Sequence, residues 1–168
     1  MKIAIDIQGC QSAVSKKRGI GRYSLNITKA LIKYCPQNEY FLFANASLCS
    51  MREEFREELY NNKNVFYIEW LSPGPTNDAF RNERSRNKIA IHLRSYSLSL
   101  LDLDIILITS FFEGFTDNTV TSLDLSYDLP PIACIFYDLI PLLNPQTYLL
   151  PNLDFNVFYN EKLTQLKK

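Results

Sequence analysis

Two stretches of this 168-residue chain carry residue types that could hold and transform a ligand. The first is Lys16-Lys17-Arg18-Gly19-Ile20-Gly21-Arg22-Tyr23, which opens a helical pattern. A helix N-terminus flanked by glycines offers unpaired N–H groups and the positive end of a dipole. Gly19, Gly21 and Arg22 therefore suit an anion such as a diphosphate. The second stretch is Ile135-Phe136-Tyr137-Asp138-Leu139-Ile140-Pro141, where an apolar run closes on a polar pair. Side chains at the carboxyl end of a strand face the crevice in which open α/β sheets bind ligands. There Asp138 could orient a hydroxyl or accept its proton, and Tyr137 could hydrogen-bond a sugar. Together the two stretches point to a nucleotide-linked substrate held against a sugar or alcohol.

Each feature also has a plainer reading. Two glycines before a helix can be loop geometry alone, and Asp138 can cap the turn that leads to Pro141. Asp6, inside the apolar run Lys2–Ile7, needs polar partners and reads best as a structural acceptor for N–H groups of the following loop. Thr109-Ser110-Phe111-Phe112-Glu113-Gly114-Phe115 follows another apolar run. Glu113 and Phe115 there resemble a carbohydrate contact, with a ring on sugar C–H faces and a carboxylate on hydroxyls. The phenylalanines could instead seal the core, Phe111 above all.

These residues need a scaffold, and the pattern supplies one. Short β-branched runs at 2–7, 40–44, 65–70, 104–109 and 132–137 read as buried strands. Helical spacing over 20–34, 51–59, about 80–101 and 155–168 separates most of them, with Pro36 ending the first helix and Ser72-Pro73-Gly74-Pro75 forming a turn. Ile89, Leu93, Tyr96 and Leu100 share one face of the third helix. Alternating strands and helices predict an α/β fold, a Rossmann-like, doubly wound parallel sheet in one domain spanning 1–168. No repeat or linker interrupts it. The last helix runs to Lys168 without a cap, which suggests a second domain beyond it.

Composition narrows the function. Formal net charge is zero and the pI about 6.6, which gives no support for nucleic-acid binding. Cys10, Cys35, Cys49 and Cys134 are scattered and His92 is the single histidine, so neither a zinc pattern nor a Ser-His-Asp triad emerges. No cofactor or metal is expected. Ser24 stands where a third glycine would complete G-x-G-x-x-G, which argues against a dehydrogenase. No signal peptide or spanning segment is evident, and the expected location is cytoplasmic. Between 81 and 94, five bases (Arg81, Arg84, Arg86, Lys88, Arg94) face the single acid Glu83. Such a run is either a solvated face or, through Arg81, Arg84 and Arg86, a peripheral contact with an anionic membrane.

DIQGCQ, RGIGRYSLNITKAL, TSFFEGFTDNTVTSL and FYDLIPLL, in that order, resemble the N-terminal half of the glycosyltransferase group 1 family. These are retaining enzymes of the GT-B fold, and the similarity is nearest to bacterial mannosyltransferase-like members that build O-antigen and other surface polysaccharides. The resemblance covers essentially the whole chain. It implies an acceptor-binding domain whose C-terminal partner, absent here, would grip the nucleotide sugar. The loop at Gly19 and Gly21 would then close on the donor diphosphate without a metal ion. The acceptor would be a glycan, carried on a lipid, on the cytoplasmic side of the membrane. The family often has histidine where this chain has Tyr137. A non-catalytic interaction module of the same fold is the competing reading.

Overall fold

A computed structural model describes residues 1–77, 84–137 and 139–167. Five parallel strands form one sheet: β1 (Lys2–Asp6), β2 (Glu39–Asn45), β3 (Val65–Trp70), β4 (Ile105–Ile108) and β5 (Ile132–Cys134). Their order is β3-β2-β1-β4-β5. The chain steps outward twice from β1 and then crosses to its other side, so the direction reverses between β1 and β4. Register follows: Ile3 is opposite Tyr40 on one side and Ile105 on the other. The expected α/β doubly wound sheet is the observed one.

Two cores confirm that both faces are covered. On one face Ile5, Tyr40, Leu42 and Val65 pack with Leu25, Leu31 and Ile32 of α2 (Gly19–Tyr34) and with Phe55, just before α3 (Arg56–Asn61). On the other, Ala4, Phe43, Trp70, Ile106 and Ile108 pack with Ala90 and Leu98 of α4 (Arg84–Ser99). Adjacent residues of β1 and β2 thus go to opposite faces, as the two-residue repeat of a strand requires.

The remaining helices sit at the ends. α1 (Gln8–Gln11) is a single turn where the sequence suggested only loop; α5 (Ile140–Leu143) and α6 (Pro145–Tyr148) were likewise not foreseen. Both of the latter carry proline in the first turn, where its missing N–H costs nothing. α7 (Leu153–Gln165) begins at Asn152, whose side chain accepts the N–H of Phe155 at 3.0 Å. α7 lays Phe155, Phe158 and Tyr159 on Phe112 and Phe115.

α4 departs from the expected pattern. Its shared apolar face (Ile89, Leu93, Tyr96 and Leu100) is 41% to 65% exposed, while Ala90, Arg94, Ser95 and Leu98 are buried. Arg94 is fully buried and therefore does not belong to the charged surface run. It meets Asp6 through both Nε, at 3.2 Å, and Nη2. Its Nη1 donates to the Ser122 carbonyl at 3.0 Å. Tertiary pairing with Asp6 has overridden helix periodicity. Arg81 lies outside the described residues, as does the side chain of Arg84. No described helix is long and apolar enough to cross a membrane.

Candidate functional site

The loops that follow β1 and β4 meet where the strand order reverses, which is the place an open α/β sheet leaves a crevice. Their contact is extensive and polar. Gln8 spans the gap: its Nε2 donates to the Val120 carbonyl at 2.7 Å and its Oε1 accepts the Val120 N–H at 2.9 Å. Gln11 does the same toward β2, accepting the Asn45 N–H at 2.9 Å and donating to the Asn45 and Cys49 carbonyls. Asp6 accepts the Gln8 N–H at 2.8 Å. That is the structural role expected of it, with Arg94 as an added partner no local pattern disclosed.

Gly9 makes the close approach possible. A Cβ there would stand 2.8 Å from both Ser110 Cβ and Ser24 Oγ, so only glycine lets α1 pass under both. Ser24, in the first turns of α2, is buried and donates to the Thr109 carbonyl at 3.3 Å. It also lies 3.3 Å from the Tyr137 hydroxyl. The Tyr137 ring stands edge-on to Tyr23 at 5.5 Å. The structure therefore brings the first turns of α2 beside the segment after β5. Asp138 lies outside the described residues.

At the α2 N-terminus, the Ser15 carbonyl accepts from the N–H groups of Arg18 (2.9 Å) and Gly21 (3.1 Å). Arg18 supplies no side-chain cap. The N–H groups of Gly19 and Ile20 have no acceptor among the described residues. The two glycines differ sharply. A Cβ on Gly19 meets nothing within 4 Å, whereas one on Gly21 would be 2.4 Å from Ser15 O and 2.7 Å from Lys16 Cα. Gly19 faces open space; Gly21 is required by the loop's own packing. Arg18 and Arg22 are exposed beside them.

Glu113 and Phe115 are turned inward. Glu113 is buried, and its Oε1 accepts from Ser15 Oγ at 2.7 Å and Ser110 Oγ at 2.9 Å. Burial pushes its carboxyl above the usual range, partly offset by those hydroxyls. Phe115 packs against Phe155 and Phe158, with ring centroids 5.1 and 5.4 Å away. Ser12, meanwhile, donates to Asp117. Ser12, Ser15, Ser24 and Asp117 organise the crevice, and isolated serines in a polar loop gave no pattern by which to single them out.

Titration further sorts the candidates. Burial holds the Tyr137 phenol above its ordinary value, so it acts as a neutral hydrogen-bonding group. Burial pushes the Cys10 thiol up to about 12, which makes it an inert core group rather than a nucleophile. All four cysteines are free. Among the described residues, no group of three or more His, Cys, Asp or Glu side chains could hold a metal ion.

Three proteins of Escherichia coli, each a serotype-specific mannosyltransferase WbdA, are similar in sequence. One is 30% identical over 175 aligned positions, covering all of this chain and 20% of the relative. The other two are 29% and 31% identical over 113 and 114 positions, each covering 66% of this chain and 13% of the relative. This chain therefore spans at most about a fifth of the length of the curated relatives it matches. No family model matches it, and no solved structure does.

Proposed function

We propose that this chain is the acceptor-side, Rossmann-like half of a retaining, metal-independent glycosyltransferase of the GT-B fold. It serves transfer of a sugar, mannose in the first instance, from a nucleotide donor to a growing lipid-linked polysaccharide such as an O-antigen. A second Rossmann-like domain supplies the rest of the donor site. The observation that carries this reading is the whole-length similarity to a mannosyltransferase. The crevice adds support, since it has open N–H groups at Gly19 and Ile20 and a phenol at Tyr137 on the same rim.

In this reading the donor diphosphate lies against Gly19, with Arg18 and Arg22 adding positive charge where the leaving group develops its own negative charge. Gly21 serves that loop by letting it fold tightly against Ser15. Tyr137 donates a hydrogen bond to the transferred sugar, and Asp138 orients the acceptor hydroxyl or takes its proton. Acceptor contacts come from the surface around the loop after β4, which Glu113 and Phe115 support from beneath. The exposed apolar face of α4, together with the basic residues Arg81, Arg84 and Arg86, makes a peripheral contact with anionic membrane at the cytoplasmic side.

Asp138→Asn in the full-length enzyme is the direct test. Asparagine still caps a turn but is a poor base, so turnover should fall at least about tenfold with the melting temperature unchanged. Normal turnover with lost stability would make Asp138 a cap. Failure of the full-length parent to transfer sugar from any nucleotide donor would instead favour a non-catalytic interaction module.

A further inference from the structure

The Glu113 carboxylate is buried between two loops at the carboxyl end of the sheet. One of its oxygens holds hydroxyls from two different loops, Ser110 from its own and Ser15 from the loop before α2. Ser15 is also the residue whose carbonyl receives the N–H groups of Arg18 and Gly21. Three residues earlier, Ser12 accepts the Ser15 N–H at 3.1 Å and donates to Asp117. Asp117 in turn accepts from the N–H and hydroxyl of Thr119, at 3.2 and 2.7 Å. The loop that opens α2 is thus tied at two serines to two carboxylates of the loop after β4.

We propose that Glu113 is a positioning residue for the anion-binding end of α2: it holds Ser15 and so fixes the loop that presents the unpaired Gly19 and Ile20 N–H groups. This rests on the reading of that end as the diphosphate site. The physical need is clear from the loop itself. Lys16 is half-buried and paired with Glu54 at 3.1 Å, but Lys17 and Arg18 beyond it are charged and exposed, and Gly19 contributes no side chain to anchor that part of the loop. Left untied, such a loop must be ordered by the ligand, and that ordering is subtracted from affinity. Glu113 orders it beforehand. The tie is also selective. Gly21 packs on the Ser15 carbonyl, so a shift of Ser15 is passed to the first turn of α2 without an intervening flexible side chain.

The alternative is that Glu113 serves only its own loop, through Ser110. A double-mutant cycle on this chain separates the two, with Glu113→Ala, Ser15→Ala, the pair together, and Glu113→Gln. Two quantities are read: hydrogen-exchange protection of the Gly21 amide, and affinity for inorganic pyrophosphate from NMR shifts of the Gly19 and Ile20 amides. Each single alanine should lower protection and weaken pyrophosphate binding about tenfold, as for loss of one hydrogen bond to a charged group. The double variant should be no worse than either single. Glu113→Gln, whose carbonyl still accepts, should recover most of both. Additive losses, or parental protection and affinity in Ser15→Ala, overturn the proposal; the second result decides it even if Glu113→Ala does not fold. Absence of any pyrophosphate response in the parent overturns the diphosphate reading itself, and the inference with it.

Discussion

Asp6 and Glu113 are both buried carboxylates beside the same crevice, yet they are held in opposite ways. Asp6 faces a fully buried guanidinium and two donors of Gln8. Glu113 faces the neutral hydroxyls of Ser15 and Ser110. A charge matched by a charge in the interior belongs to the architecture, because removing one partner strands the other. A carboxylate held by hydroxyls alone keeps a proton more readily, and burial accordingly pushes Glu113 upward. The difference separates what builds the sheet from what sets the loop above it.

The largest effect should come from breaking the first of these. Arg94→Ala leaves Asp6 buried without its cation and should cost about 3–5 kcal/mol, read as a lowered urea midpoint. Asp6→Asn combined with Arg94→Met should lose clearly less than the sum of the two single changes. Additive losses would mean that the ion pair is not the unit described.

Next in size is the contrast between the two glycines. Gly21→Val must displace the Ser15 backbone, and overpacking of that kind costs about 1–3 kcal/mol. Gly19→Ala enters open space and should leave the urea midpoint within about 0.5 kcal/mol of the parent. Pyrophosphate binding should fall in both. Equal stability of the two variants would remove the distinction.

A smaller effect tests the setting of Glu113 by pH. A carboxyl raised in the folded state binds more protons there than in the unfolded chain, so its contribution to stability falls as pH rises through the interval above the usual carboxylate range. Glu113→Gln should flatten that part of the stability–pH profile. An unchanged slope would place Glu113 in a solvated setting. Smallest of all, neutralising Arg81, Arg84 and Arg86 should weaken sedimentation with anionic vesicles, most strongly at low salt. Equal binding by parent and variant would return this run to a solvated helix face.

The same contrast marks what the sequence disclosed. Strands buried on both faces announce themselves as apolar runs, and the Val65–Trp70 strand matches its expected limits. The Gly19–Tyr34 helix begins one residue before its expected start, at the glycine itself. Asp6 was legible as structural because a lone acid in such a run needs partners. Arg94 was not. It lies among surface bases, and only the fold brings it beneath residue 6, across 88 positions. The exposed stripe Ile89, Leu93, Tyr96 and Leu100 was misleading for the same reason: a helix that buries an arginine must turn that face inward. Glu113 was recognised as a candidate but not as an anchor, since its partner Ser15 is 98 residues away.

A direct assay of sugar transfer tests the proposal that this chain is the acceptor-side half of a glycosyltransferase. The chain alone, and the chain continued in its own reading frame past residue 168, would each be incubated with nucleotide-linked mannose and a mannose-terminated acceptor. Labelled product should come from the continued chain and none from the 168 residues alone, because charge on the leaving diphosphate must be met from both domains. Turnover by the 168-residue chain alone, or none from the continued chain with any nucleotide sugar, would contradict it.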